Sequence, residues 1–333
     1  MIPSDETHLP SSLFNHPGNG GKNNEDRYTL NSYQLSESDA TPSLLAIVAD
    51  GRGGQRAGEV AAQTVVDVVG LAVAQSDASQ PNAILQSAII QAGQSIAAQS
   101  ESEAEKRGMG STCLCVWIIA NRLYTASLGN SRLFHSRQGR LQQMNIVHNL
   151  VPDEDNDEAG DVVQMEGKKQ PEELQGFLGA RMRTSVDFRL VLRPGGEANA
   201  ERNQGTRLQA NDRLLLCSDG LSDALGKEEI AQILSGAEID KAAEALVQAA
   251  LKNDAQDNLS AIVLGMPPAR PTPSARRMRL RPILIIAFAS LLLVLLSLTG
   301  WFFLGQRIDP GHTPQPSPVN TLTPLPSHTP ELP

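Results

Sequence analysis

Alternating and unbroken apolar runs divide this chain into elements. Arg27–Asn31, Leu44–Asp50, Thr112–Ile119, Arg122–Ser127, Arg132–Ser136, Arg189–Leu192, Arg213–Ser218 and Ser260–Leu264 each predict a strand. Between them apolar residues recur at helical spacing. Gly58–Ala74 presents Val60, Ala61, Val65, Val68, Val69 and Ala72, and Asn82–Gln99 presents Ile84, Leu85, Ala88, Ile89, Ala92 and Ile96. A third helix is predicted from Ile239 to Asn253, closed by Asn. The strands come in groups rather than alternating one by one with helices, which favours an α+β fold of stacked layers over a doubly wound parallel sheet. Residues 1–20 are polar and predict a loose segment, and no internal repeat is visible.

The end of the chain follows a different pattern. From Ile283 to Leu304 there is no charged residue, a length that suits a bilayer core roughly 30 Å thick. Arg276, Arg277, Arg279 and Arg281 precede the run and only Arg307 follows, so a transmembrane helix is expected over 282–305 with everything before it cytoplasmic. Trp301 and Phe302 suit the far interface. Residues 267–281 read as a Pro/Arg-rich linker and 306–333 as a Pro/Thr-rich disordered tail outside the membrane. The amino terminus has neither the basic start nor the apolar stretch of a signal peptide.

Charge and cysteine content narrow the function. With 37 acidic against 28 basic residues and a net charge of −9, the chain is not expected to bind nucleic acid. Cys113, Cys115 and Cys217 form no CxxC or Cys/His cluster, so zinc is not expected and all three read as small core residues.

Four segments far apart in sequence place carboxylates at strand ends. Asp26 precedes the first predicted strand, Asp50-Gly51 ends the second, Asp219-Gly220 ends the strand "RLLLCS", and Asp257 precedes the last. Each alone reads as a turn or a solvated loop. Gathered together, such anions repel strongly unless a hard divalent cation joins them, and Mg²⁺ or Mn²⁺ prefers carboxylate, carbonyl and water oxygens. A glycine after the aspartate lets a carbonyl approach such an ion.

Taken in order, "NNED" (23–26), "VADGRGG" (48–54), "GMGST" (108–112), "ASLGNSRLF" (126–134), "NDRLLLCSDGLSDAL" (211–225) and "QDNLSAIVL" (256–264) resemble the metal-dependent Ser/Thr protein phosphatases of the protein phosphatase 2C family. The resemblance covers roughly residues 20–266 and implies a phosphatase domain over 21–266. It implies a four-layer α-β-β-α sandwich with two antiparallel sheets, and hydrolysis of phosphoserine or phosphothreonine in proteins by water activated between two Mn²⁺ or Mg²⁺ ions. It implies Asp26, Asp50, Asp219 and Asp257 as carboxylate ligands and the Gly51 carbonyl as a further ligand. Asp50 would bridge the ions, and Asp50 and Asp219 would act through the metal-bound water. The implied partners are phosphorylated proteins, among them a membrane Ser/Thr kinase.

Three positions depart from the family. Asn130 stands where the family's "GDSR" has the aspartate that supports a third ion, which puts that ion in doubt. Gly21 stands where many members place a phosphate-binding arginine, with Lys22 beside it as a substitute that lacks the bidentate fork. Arg52 stands where some members have a histidine. It cannot serve as an acid but can hold phosphate, so Lys22 and Arg52 are the expected substrate-binding residues. These changes keep a second expectation open, a weakly active or inactive domain that binds phosphoproteins or a kinase; a membrane receptor that signals only by binding is a third.

The remaining motifs read plainly. "DEDNDEAGDVVQ" (153–164) lacks the glycine and the final glutamate of a calcium loop and reads as a solvated acidic loop. "GRGG" (51–54) lacks the residues of a nucleotide-binding loop. His148 is expected to be structural, and Asp223 to serve the following turn or a helix start.

Overall fold

The structure is a computed structural model. It describes residues 1–53, 57–148, 177–179, 185–269 and 280–305. Residues 1–269 form one compact unit. Its strands are β1 (Ile2–Pro3), β2 (Ser11–His16), β3 (Asp26–Gln34), β4 (Pro42–Arg52), β5 (Gly110–Ser111), β6 (Cys113–Ile119), β7 (Arg122–Leu128), β8 (Arg132–Arg137), β9 (Arg140–Gln143), β10 (Leu178–Gly179), β11 (Thr206–Arg207), β12 (Arg213–Cys217) and β13 (Leu259–Gly265). Its helices are α1 (Ala57–Ala74), α2 (Pro81–Ser102), α3 (Asp219–Ala224), α4 (Lys227–Gly236) and α5 (Ile239–Lys252).

Two antiparallel sheets result. One runs β1-β3-β4-β6-β7-β11, with the short strands β5 and β10 continuing from the end of β4; the other runs β2-β13-β12-β8-β9. Side-chain alternation builds the layers. In β4, Leu44, Ala46 and Val48 face the second sheet and meet Leu214, Leu216 and Ile262. Leu45, Ile47 and Ala49 face the other way, onto Ala61, Val65 and Val69 of α1 and Ile89 and Ile96 of α2. Leu215, Cys217 and Val263 leave the second sheet outward, onto Leu246 and Val247 of α5 and Leu234 of α4. The order of layers is helix, sheet, sheet, helix, as expected. β4 is buried on both faces, which explains its near-continuous apolar sequence.

Most predicted elements are present with ends moved by a few residues, and the differences have local causes. Residues 1–20 are not loose: β1 pairs with β3, and β2 lies at the edge of the second sheet against β13. β2 was missed because "SSLFNH" is half polar, as an edge strand tolerates. Arg189–Leu192 is not a strand. The Arg189 side chain and backbone N–H both turn back onto Asp187, holding the segment in an irregular path after a single bridge between Ser127 and Asp187. The three cysteines are buried free thiols, Cys113 and Cys115 on one face of β6 with their sulfurs 3.4 Å apart.

The second unit contains a helix α6, Leu280–Gly305, where the span 282–305 was expected. Its described side chains cover the apolar stretch Phe288–Trp301 and are exposed. Among the described residues only α1 is long and apolar enough on its own to cross a membrane, and α1 is a core helix packed on β4. The acidic loop 153–164, the arginines at 276–279 and the tail from 306 lie outside the described residues.

Candidate active site

Register places the first two carboxylates. β3 and β4 pair antiparallel with Asp26 directly opposite Asp50. Such partners have Cα atoms about 4.5–5.5 Å apart and side chains on one face. Asp219 comes from the other sheet, as the first residue of α3 immediately after β12. Asp257 lies in the loop before β13, the strand next to β12. Thus Asp26 and Asp50 lie on paired strands of one sheet, and Asp219 and Asp257 lie in the segments that follow β12 and precede β13 of the other.

The motifs around these residues hold them in place. The Asp50 N–H donates to Thr112 Oγ1 at 2.9 Å, and its carbonyl accepts from the Thr112 N–H at 2.8 Å and the Ser111 hydroxyl at 3.1 Å. Thr112 Oγ1 and Ser131 Oγ lie 3.0 Å apart, so "GMGST" and "GNSR" meet behind Asp50. Asn24 Oδ1 accepts the Asp26 N–H. Asn258 Oδ1 accepts the Glu25 N–H at 2.8 Å, while its amide donates to the Pro17 carbonyl at 3.0 Å. Asn24 and Asn258 were not singled out from sequence. Their roles rest on partners up to 241 residues away, and only their place beside Asp26 and Asp257 pointed to them.

Glycine is required where backbones touch. A Cβ on Gly51 would lie 2.0 Å from the Gly58 carbonyl oxygen, and one on Gly58 would lie 2.6 Å from the Glu25 carboxylate. This close approach seats Gly51 between β3 and the start of α1. A Cβ on Gly220 would lie 2.3 Å from the Asn258 carbonyl oxygen, which fixes α3 against the Asp257 loop.

The electrostatics are those of an incomplete site. Asp26 is 2 % exposed, and neither of its carboxylate oxygens has a hydrogen-bond partner. Burial pushes its pKa up; the nearby Ser260 and Ser218 hydroxyls oppose this, and the charges of Asp219 and Asp257 add to it, leaving it at about 7. Asp50 is pushed well above the usual range by burial and then by the charges of Asp26 and Asp219. Asp219 is raised by burial and by the charges of Asp257 and Asp223. An unpaired buried carboxylate costs several kcal/mol, so a set of them calls for a cation. Among the described residues no three acidic, histidine or cysteine side chains converge tightly enough to cage one ion. The orphaned Asp26 oxygens, the mutual repulsion and the oxygen-only donor set all fit Mg²⁺ or Mn²⁺.

The other expected residues fall as follows. Asn130 donates its amide hydrogen to Asp219 Oδ2, so this side chain is committed to a carboxylate. Lys22 is exposed, and its charge acts on Glu25. Arg52 is exposed, with its guanidinium carbon 4.4 Å from the centre of the Phe177 ring. Asp223 does not start a helix. It sits in the last turn of α3 and pairs with Arg132 Nη2 at 2.9 Å. His148 is structural, as expected: its Nδ1 accepts the Gly129 N–H and its Nε2 lies 3.1 Å from Asp187 Oδ2.

Comparison with known proteins adds independent support. The family model described as "Protein phosphatase 2C" matches residues 18–263. The serine/threonine protein phosphatase PstP of Mycobacterium tuberculosis is 34 % identical over 228 residues, which are 66 % of this chain and 40 % of that protein. The chain thus spans less than half the length of that relative. The serine/threonine phosphatase stp of Listeria monocytogenes is 28 % identical over 227 residues, 66 % of this chain and 83 % of that protein. Among solved structures, the catalytic domain of PstP in complex with two manganese ions superposes with a TM-score of 0.57 at 29 % identity, covering 77 % of this chain and 97 % of that one.

Proposed function

Because the chain belongs to the protein phosphatase 2C family, we propose that it hydrolyses phosphoserine and phosphothreonine in proteins. The observation that carries this reading is Asp26: a buried carboxylate, without a partner for either oxygen, opposite Asp50 in register. Asp26, Asp50, Asp219, Asp257 and the Gly51 carbonyl are the residues that would hold two Mn²⁺ or Mg²⁺ ions. When bound, such a pair neutralises the carboxylates and the phosphoryl oxygens and lowers the pKa of water.

The chain's own residues supply the rest. Thr112 and Ser111 fix the Asp50 backbone, so its carboxylate is aimed by the strand rather than by a mobile loop. Asn130 donates to the Asp219 carboxylate, and a neutral amide there is a poor ligand for a third hard cation. Arg52 and Lys22 are the cations available to orient the phosphate.

We assign α6 to the membrane, with the phosphatase domain in the cytoplasm and the tail outside. An uncharged stretch from 283 to 304 and the exposed apolar side chains from Phe288 to Trp301 support that assignment. Tethering raises the local concentration of the domain near membrane-bound phosphoproteins, and a membrane Ser/Thr kinase is the partner this geometry suits. The full chain is expected to stay in carbonate-washed membranes, and its release would remove the anchor.

The test of function is phosphate release from a phosphothreonine peptide with Mn²⁺, and its loss by more than about a hundredfold in Asp219→Ala, since even partners of metal ligands cost 10- to 100-fold. Metal binding without phosphate release would assign a phosphoprotein-binding module instead.

A further inference from the structure

Arg52 ends β4 two residues after Asp50, so both side chains leave the strand on the same face. Arg27, Arg132, Arg137 and Arg189 all reach carboxylates. Among the described residues Arg52 reaches none, and what it meets is the face of Phe177. A ring holds a guanidinium without cancelling its charge, and it leaves the edge of the fork open to an anion.

The ring is held by a small sheet made for it. Arg52 in β4 pairs with Gly110 in β5, and Gly110 pairs with Gly179 in β10, which follows Phe177 directly. A Cβ on Gly110 would lie 2.4 Å from Phe177 Cδ2, and one on Gly179 would lie 3.4 Å from Cε2. Neither glycine has a positive φ, so space rather than backbone angle demands glycine here. At Gly110 the ring and the Leu178 carbonyl oxygen, 2.8 Å away, leave no room for a Cβ; at Gly179 the Met109 carbonyl oxygen, at 2.7 Å, excludes it and the ring lies in contact. The two glycines form a flat bed on which Phe177 lies, with Arg52 against its face.

Lys22 offers no such arrangement, since it is exposed and its ammonium has no planar fork.

We propose that Phe177 is a positioning residue: its ring holds the Arg52 guanidinium on the Asp50 side of β4, where the open edge of the fork takes the phosphate of the substrate. This rests on the phosphatase reading above and names the group that orients the phosphate in a chain with glycine at position 21. The predicted specificity is for a dianionic phosphate, bound through the guanidinium edge.

The experiment uses the full chain in detergent, loaded with Mn²⁺. Inorganic phosphate binding is measured by calorimetry, and kcat and KM on a phosphothreonine peptide, for wild type, Arg52→Ala, Phe177→Leu, Phe177→Tyr and the Arg52→Ala/Phe177→Leu double variant. Phe177→Leu is expected to weaken phosphate binding and raise KM by about 3- to 10-fold with kcat within about twofold, the range of one cation–π contact. Phe177→Tyr restores wild-type values, and the double variant is no worse than Arg52→Ala. Should Phe177→Leu melt below the assay temperature, Phe177→Met replaces it; Arg52, being exposed, tests the same contact without that risk. Unchanged phosphate affinity in Arg52→Ala overturns the proposal. So does an equal loss from Phe177→Leu with and without Arg52, which would make the ring a mere filler. Wild type that binds phosphate through Arg52 but releases none from the peptide overturns the hydrolytic reading and leaves the clamp standing.

Discussion

Asp26 and Asp212 are both buried, at 2 % and 1 % exposure, yet their pKa values move in opposite directions. Asp212 lies in the turn before β12. Arg137 grips it with two bonds of 2.7 and 2.6 Å, and the Gln209 N–H adds a third at 2.7 Å. Burial alone would raise it, but the Arg137 fork and the Gln209 N–H outweigh that and lower it. Asp26 has Asp50 across the ladder and no cation, and it rises to about 7. Burial does not decide the state of a carboxylate; its partners do. One region brings its cation in the sequence, while the other leaves a gap of two or more positive charges for solution to fill.

The sharpest way to break this contrast is to neutralise Asp26. The native state holds a proton there up to about pH 7, whereas an unfolded aspartate loses it near 3.9. The unfolded chain therefore binds fewer protons between those values, and metal-free stability falls as pH rises from about 4 to 7. With Mn²⁺ at about a hundred times its Kd, each site adds roughly 2.7 kcal/mol. Urea midpoints in chelator should decline over that window in wild type and be flatter in Asp26→Asn. Mn²⁺ at pH 7.5 should stabilise wild type and leave the variant nearly unmoved. A wild-type midpoint that climbs over the same window in chelator would show that the cluster is not orphaned.

The paired region should respond with the opposite sign. Arg137→Met strips the fork from buried Asp212 and should cost about 1–3 kcal/mol. That is less than for a fully buried pair, because the Arg137 side chain is 36 % exposed. Thermal melting with and without Mn²⁺ checks it, and metal should not rescue the loss. Rescue by Mn²⁺ would mean that the two regions are not separate.

A smaller effect belongs to Asp187. Burial raises its pKa, but hydrogen bonds from His148 and Arg189 outweigh burial and hold it at about 2. A depressed native pKa gives stability that is present above about pH 4 and lost as pH falls towards 2. The gap in urea midpoint between wild type and Asp187→Asn, measured in chelator, should be constant above pH 4 and narrow below it. A gap that stays wide at pH 2.5 would locate the stabilisation elsewhere.

How much of this was legible depends on sequence distance. β4, β6, β12 and β13 announce themselves through apolar runs, and the carboxylates through Asp-Gly pairs and loops at the ends of those runs. These are local signals. The edge strand β2 has too few apolar residues to stand out, and α4 was not read from "KEEIAQILSG" despite its buried Ile230 and Leu234. Asn258 binds the Glu25 N–H across 233 residues and Phe177 reaches Arg52 across a sheet that only the fold assembles. Arg189 shows the converse: a strand-like stretch is overridden by one aspartate two residues before it.

The pairing of Asp26 with Asp50 couples the chemistry to residues that never touch it. A slip of one residue between β3 and β4 would turn every alternate side chain over, putting the two acids on opposite surfaces and Leu44, Ala46 and Val48 against the helices instead of the second sheet. Selection for an intact interior therefore also guards the active geometry. Genetic screens for lost function in this protein should then return hydrophobic substitutions along β4 as readily as changes to the acids themselves.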